Sequence, residues 1–381
     1  MATARRANAS SPPPAACSAT KRYFLNSSAE QIALTFCCDA AKNCCNAKYG
    51  SSKMNKYAKI IGSGAYVPTE EHNNDEFRKK FGEEIINKSQ EATGILTRFR
   101  APADWATSDL AVAACKIALA DAKLQPEDLD LIVLGTDTPD YITPATSVVV
   151  QHKLGAKNAG TFDVGCACAS FPTGLAIASG MMANQPQIRR VLVIGVYMMH
   201  RLADLENDPM SFYYGDGAGA VVLEASDKPG FISSALAADG SYYECWGIYS
   251  SGTKEPVTEE SIKAGRSKVK FVTPFPSTVN REGWPKRVRE AAKNGNFAVS
   301  DIDHIVFTQV RSKTITQVME DLGLPENKAI KIMHEYGYMG SACIPVAYDV
   351  ARRRGLIKEG NLVVFMGSGV GYNQCAVAMR I

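Results

Sequence analysis

The sequence predicts an α/β fold of duplicated α-β-α-β-α layered halves related by pseudo-twofold symmetry. Two observations predict it. From Met54 onward, short apolar runs of strand length alternate with helix-length segments that are amphipathic or rich in small residues. Landmarks also recur at nearly one spacing. Asp128 to Val133 (DLDLIV) matches Asp301 to Val306 (DIDHIV) at an offset of 173, and Leu154-Gly155 matches Leu322-Gly323 at 168. The turn holding Cys168 and Pro172 matches Ser341 and Pro345 at 173, and the strands ending at Gly195 and Gly367 lie 172 apart. Two such units can bury their open faces only against each other, so equivalent turns converge at the junction. The Cys168 turn is therefore expected beside the loops after Val306 and after Gly337.

Residues 1–53 differ from the rest. The first 29 contain no acid, Arg5-Arg6 stands near the start, and five of eleven cysteines (Cys17, Cys37, Cys38, Cys44, Cys45) are here. The segment reads either as a transit peptide or as an extension upstream of a start at Met54. It is set apart from the fold, which divides into a nucleophile-bearing half, 54–225, and a second half, 226–381. Lys59-Ile60-Ile61-Gly62 reads as the first strand, with Ala65 to Pro68 as its exit. Asn73 to Lys88, polar with Phe77, Phe81, Ile85 and Ile86 at helical spacing, predicts one surface helix. Ser108 is placed to cap a helix from Asp109 to Ala122 with an apolar stripe through Leu110, Ala114 and Ile117. A strand (Leu129 to Gly135), a helix (Thr146 to Leu154) and a strand (Gly160 to Val164) follow. After the Cys168 helix come strands at Arg190 to Gly195, Ala220 to Leu223 and Cys375 to Met379.

Composition narrows the function. Apolar content of 46% and charged content of 21% are ordinary for a globular protein. No apolar run approaches the roughly 20 residues that span a bilayer, so no membrane association is expected. The net charge of +3 comes from residues 1–53, whose seven Lys/Arg and two acids leave the remainder at −2, so nucleic acid is not the expected partner. The cysteines follow no regular spacing, which suggests reduced, buried thiols. Cys37-Cys38 and Cys44-Cys45 lack zinc spacing and a nearby His, and no metal is expected. Gly215 to Ala220 precedes a strand and Gly367 to Gly371 joins two strands, so neither has the context of a nucleotide loop. A glycine turn can instead bring backbone N–H groups to a reacting oxyanion.

The stretch from Thr161 to Gln185 carries the chemistry. An apolar run, Phe162 to Val164, breaks at Gly165 into a cysteine-bearing turn, and small apolar residues from Ala169 to Ala183 follow at helical length. Pro172 fits only in the first turn of that helix, which must begin just after Cys168. Cys168 then sits at a helix N-terminus, where unpaired N–H groups and the dipole favour a thiolate. The plainer reading makes Cys166 and Cys168 small core residues.

Several motifs in order point to one family. They are Lys59-Ile60-Ile61-Gly62-Ser63-Gly64 with Tyr66 and Pro68, Thr93-Gly94-Ile95, Phe162-Asp163-Val164 running into Ala167-Cys168-Ala169 and Phe171, Gly215 to Ala220, Asp239-Gly240-Ser241-Tyr242 and the closing glycine turn. On these, Met54 to Ile381 resembles the beta-ketoacyl-ACP synthase III group of the thiolase superfamily. The resemblance implies a thiolase-like fold and a homodimer. It implies an acyl-thioester formed on Cys168 from acyl-CoA or acyl-ACP, then condensed with malonyl-ACP with loss of carbon dioxide, without a permanently bound cofactor. The Cys168 N–H and one from Gly369, Val370 or Gly371 would form the oxyanion hole.

The departures are specific. Where the family has its catalytic His, the chain reads Phe307-Thr308-Gln309; where it has its Asn, Tyr336-Gly337-Tyr338. Thr308 and Tyr338 hydroxyls can donate hydrogen bonds, but neither is a base near neutral pH. His304 lies four residues before Thr308, about 13 Å along a strand, and cannot replace it. The resemblance therefore carries acyl loading further than decarboxylation. Arg311 and Lys313 match basic residues that dock the acidic carrier protein, with solvated charges at a helix start as the plain alternative. Thr143 stands where a partner-subunit aromatic closes the acyl pocket. Non-decarboxylative transfer to an alcohol, amine or thiol, and a non-condensing partner subunit of an active synthase, remain as alternatives. The expected location is cytoplasmic, or a plastid or mitochondrion if residues 1–53 are a transit peptide.

Overall fold

The computed structural model describes residues 57–273, 276 and 278–381; the readings made on residues 1–53 and Met54 lie outside them. The first half holds β1 (Tyr57–Tyr66), a ribbon of β2 (Glu70–Asn73) and β3 (Thr97–Arg100), then β4 (Leu131–Gly135), β5 (Gly160–Val164), β6 (Arg190–Tyr197) and β7 (Gly217–Ser226). The second holds β8 (Phe231–Ala238), a ribbon of β9 (Trp246–Gly247) and β10 (Lys270–Phe271), then β11 (His304–Phe307), β12 (Ala329–Ile330), β13 (Leu362–Gly369) and β14 (Asn373–Arg380). The main sheets run β1-β7-β6-β4-β5 and β8-β14-β13-β11-β12, so each strand has a counterpart in the same place. In both, the last three strands pair in parallel and the first two join antiparallel.

The layers follow from which faces are apolar. β4 and β13 are buried along their whole length, as strands covered on both faces must be. Alternate residues of the first sheet go to different layers. Ile132, Leu134, Leu192 and Ile194 pack against Leu110, Ala114 and Ala118 of the outer helix Thr107–Ala122. Val133, Val191, Val193 and Val221 face inward to Phe171, Leu175 and Ala178. The helix Val279–Gly295 covers the second sheet from outside, with Ser312–Leu322 beside it. Ser170–Asn184 and Cys343–Arg353 lie between the sheets and touch both. The result is the thiolase-like α-β-α-β-α duplication.

Glycine makes the junction close. A Cβ on Gly369 would collide with the Cys166 carbonyl oxygen, and one on Gly367 would lie 2.7 Å from Pro172 Cγ. In the other half, a Cβ on Gly195 would collide with the Ser341 carbonyl oxygen, and one on Gly219 would lie 2.7 Å from Pro345 Cβ. Each sheet thus admits the turn and helix start of the opposite half, and both glycine clusters have a packing reason.

Two local expectations are corrected. Asn73 to Lys88 is not one helix: Gly82, at φ +91°, separates Asn74–Phe81 from Glu83–Thr93, and the Asn73 side chain caps the first by accepting from Asp75 N–H at 2.9 Å. Ser108 is not a cap. The helix starts at Thr107 after Ala106, whose N–H donates to Asp109 Oδ2 at 2.9 Å, while Asp140 accepts from the Ser108 N–H at 2.9 Å. Carboxylates from N3 and from a neighbouring loop satisfy the free N–H groups, so no hydroxyl is needed at the cap. Among the described residues all six cysteines are free and five are buried. No described helix is long and apolar enough to cross a membrane.

Candidate active site

Cys168 is set by a strand-to-helix turn. β5 ends at Val164, Ala167 takes the left-handed conformation (φ +47°), a 3₁₀ turn covers Ala167–Ala169, and the helix Ser170–Asn184 begins with Pro172 in its first turn. The Cys166 N–H donates to Ser170 Oγ at 2.9 Å, which closes the turn. A left-handed non-glycine residue is uncommon, and here it lies directly before the nucleophile. The second half repeats the device: Gly340 (φ +42°) opens a 3₁₀ turn, Gly340–Ala342, before the helix Cys343–Arg353. Ser341, the counterpart of Cys168, has its Oγ within hydrogen-bond reach of both the Ala167 carbonyl oxygen (3.1 Å) and Asp137 Oδ1 (2.9 Å), which share its one hydrogen.

Two cavities meet at Cys168. The smaller, about 40 Å³, is bordered by Thr308, Tyr338, Gly369, Val370 and Gly371, with Asn280 and Tyr372 at its side. The larger, about 180 Å³, is walled by Met199, Ile248, Val269, Trp246 and Val370, and also by Tyr197 and Asp137. Thr308 follows β11; its N–H donates to Met366 O and its Oγ1 accepts from the Ser368 N–H, each at 3.0 Å. Tyr338 is fastened by backbone bonds to Tyr213 (3.0 Å) and Gly215 (2.9 Å), and its hydroxyl hydrogen-bonds Cys168 Sγ. The glycine turn is held by Tyr372, which exchanges backbone hydrogen bonds of 2.9 Å with Asp239.

Cys168, Thr308, Tyr338, Gly369, Val370 and Gly371 are therefore brought together around one cavity. Arg311 and Lys313 are not among its lining residues. Both are exposed and follow Val310, which does line it. Thr143 lies on an exposed loop with Tyr141 and Ile142. Gln309 is structural: it donates to Phe307 O and Ile330 O and accepts from Ile332 N–H, each at 2.9 Å. Among the described residues no histidine lines either cavity.

Asp137 and Tyr197 line the larger cavity and Ser341 holds Asp137, roles that the motifs did not disclose. For Asp137 a signal exists in the repeat, since the offset of 173 sets it opposite Val310, just past the end of a strand pointing into the junction.

Electrostatics corrects one expectation. Burial pushes the Cys168 thiol well above its ordinary pKa, the Asp137 carboxyl and Cys343 thiol add to this, and the Tyr338 hydrogen bond opposes it. The helix start does not overcome desolvation, and Cys168 rests as a thiol. Burial likewise raises Tyr338, with Cys168 and Tyr197 nearby, so its hydroxyl is a donor and not a base. Asp137 is pushed up to about 6 by burial, against hydrogen bonds from Ser341 and its own N–H. A thiol between an apolar cavity and a turn of backbone N–H groups and hydroxyl donors is suited to capturing an acyl group.

The profile of 3-oxoacyl-[acyl-carrier-protein] synthase III matches residues 162–240, and that of the C-terminal part of the same enzyme matches 292–381. Residues 162–240 and 292–381 thus carry the two parts of 3-oxoacyl-[acyl-carrier-protein] synthase III. The synthase III of Aquifex aeolicus VF5 is 28% identical, with 85% of this chain and 100% of that one covered at a TM-score of 0.76. The synthase III of Pseudomonas aeruginosa PAO1 is 26% identical, covering 85% and 98% at 0.74. The priming beta-ketosynthase of the R1128 polyketide pathway is 28% identical, covering 86% and 97% at 0.77. The synthase III fold thus extends over the described chain, with Thr308 and Tyr338 placed at the cavity beside Cys168.

Proposed function

We propose that the protein is an acyltransferase of the ketosynthase III type, which accepts an acyl group on Cys168 from acyl-CoA or acyl-ACP and condenses it with a malonyl-ACP type extender to a 3-oxoacyl thioester. The observation that carries this is the convergence of the Cys168 sulfur, two hydroxyls and the glycine turn on one cavity. In loading, the sulfur attacks the thioester carbonyl, the oxyanion is met by backbone N–H groups of the turn, and the donor thiol leaves with the Cys168 proton. In condensation, malonyl carbon dioxide leaves and the enolate oxygen is held by the Thr308 and Tyr338 hydroxyls. The enolate carbon attacks the acyl carbonyl, and the Cys168 sulfur departs as a thiolate that takes a proton from solvent. The reading includes a homodimer, with carrier docking at Arg311 and Lys313.

One observation favours a second reading, transfer to an alcohol, amine or thiol. Asp137 puts a carboxyl on a cavity without a histidine, and a negative charge there opposes a malonyl carboxylate and an enolate. The test is intact mass after incubation with acyl-CoA and acyl-ACP donors. An adduct on the native chain that Cys168→Ala lacks supports acyl loading; no adduct with any donor points to a non-condensing partner subunit. Carbon dioxide release on adding malonyl-ACP then separates condensation from simple transfer.

A further inference from the structure

The 180 Å³ cavity has a polar anomaly in an apolar wall. Met199, Ile248, Val269 and Val370 suit a hydrocarbon chain, yet Asp137 lines the same space. Thr308, Gly369 and Gly371 border the other cavity, while Tyr338 and Val370 line both. An acyl group attached to Cys168 Sγ therefore has the larger one to extend into. Among the described residues the side-chain hydrogen-bond partner of the Asp137 carboxyl is Ser341 Oγ, at 2.9 Å on Oδ1. A carboxylate has about four acceptor sites, and among the described residues no second side chain donates to this one. Removing an ion from water costs several kcal/mol unless partners replace the water. Among the groups facing Asp137 are Cys168, Tyr197, Tyr214 and Cys343, none of them a cation. Asp137 is half-buried and lines the open cavity, so a donor on a bound ligand has an acceptor there to meet.

We propose that Asp137 is a specificity residue of the acyl cavity, which selects acyl groups bearing a hydrogen-bond donor, a hydroxyl or an ammonium, over plain alkanoyl groups. Ser341, held in the second half's copy of the nucleophile turn, is the positioning residue that aims the carboxylate. The inference rests on the acyl-Cys168 reading above.

The experiment compares rates of adduct formation, by intact mass, from N-acetylcysteamine thioesters of butanoate, pentanoate, 3-hydroxybutanoate, 4-hydroxybutanoate and 4-aminobutanoate. The native protein, Asp137→Asn, Asp137→Ala and the Cys168→Ala blank are run side by side. A hydroxyl- or ammonium-bearing thioester is expected to react roughly 10- to 100-fold faster than its alkanoyl counterpart, the range for a hydrogen bond to a charged group. Asp137→Asn should abolish the ammonium preference, and Asp137→Ala should make the alkanoyl thioesters the better donors. Equal rates, or an alkanoyl preference in the native protein, overturn the inference and leave acyl loading standing. No adduct from any thioester overturns the acyl-Cys168 reading and this inference with it. Because the native protein's own preference decides, a variant that fails to fold does not blunt the test.

Discussion

At the scale of single residues, the nucleophile's reactivity is governed by water more than by the helix. Cys168 is 4% exposed, and its raised pKa leaves little thiolate at neutral pH. Alkylation by iodoacetamide, followed by mass, should be slow at pH 7.5 and still rising at pH values where an ordinary thiol has reached its plateau. Tyr338→Phe removes the one side-chain hydrogen bond that lowers this pKa, so it should slow alkylation further at every pH below the plateau. Asp137 gives a second expectation. Its folded-state pKa of about 6 lies above the ordinary aspartate value of 3.8, so the folded chain binds more protons than the unfolded one between those values. Stability is therefore lost as pH rises from about 4 to about 6, and Asp137→Asn should be more stable than the native protein at pH 7.5, by on the order of 2 kcal/mol, and equal to it near pH 4. Urea unfolding at the two pH values reads this. Cys168 was legible because Gly165 and Pro172 bracket it, whereas Asp137 had no local signal, only its place in the repeat: an acid in a loop is ordinarily solvated, and only the facing half makes this one a cavity wall.

At the scale of elements, packing decides where glycine must stand. Gly369→Ala would drive a Cβ into the Cys166 carbonyl oxygen, displacing the Cys168 turn from β13. A loss of about 1–3 kcal/mol in urea unfolding is expected, with slower acyl loading. Gly82→Ala meets open space but needs φ +91°; it should cost about 1 kcal/mol and leave acyl loading unchanged, since Gly82 lies far along the chain from the cavity. The helix Thr146–Leu154 and the strand Gly160–Val164 were legible to the residue because periodicity and flanking glycines agree there. The segment around Gly82 misled because two short helices share one periodic pattern. The Ser108 cap misled because Asp140, which serves that N–H, lies 32 residues away in sequence.

At the scale of the molecule, neither half has a complete interior of its own. The helix Ser170–Asn184 touches strands of both sheets, and Phe171 meets Phe365 edge-on at 6.2 Å across the junction. A fragment ending after Ser226 should therefore lack a cooperative thermal transition, while residues 57–381 melt in one; calorimetry of the two decides. This was foreseeable from the recurring landmarks alone, because an offset near 173 is a statement about the whole chain and survives divergence of individual side chains. What the repeat did not disclose is how unequally its twin bends are employed. One presents sulfur to the hollow, and the other presents an alcohol that grips an acid across the seam. Any change that slides one bend against its twin would thus blunt the attacking atom and unsettle the chamber wall in a single stroke, so reactivity and selectivity in this protein should fail together.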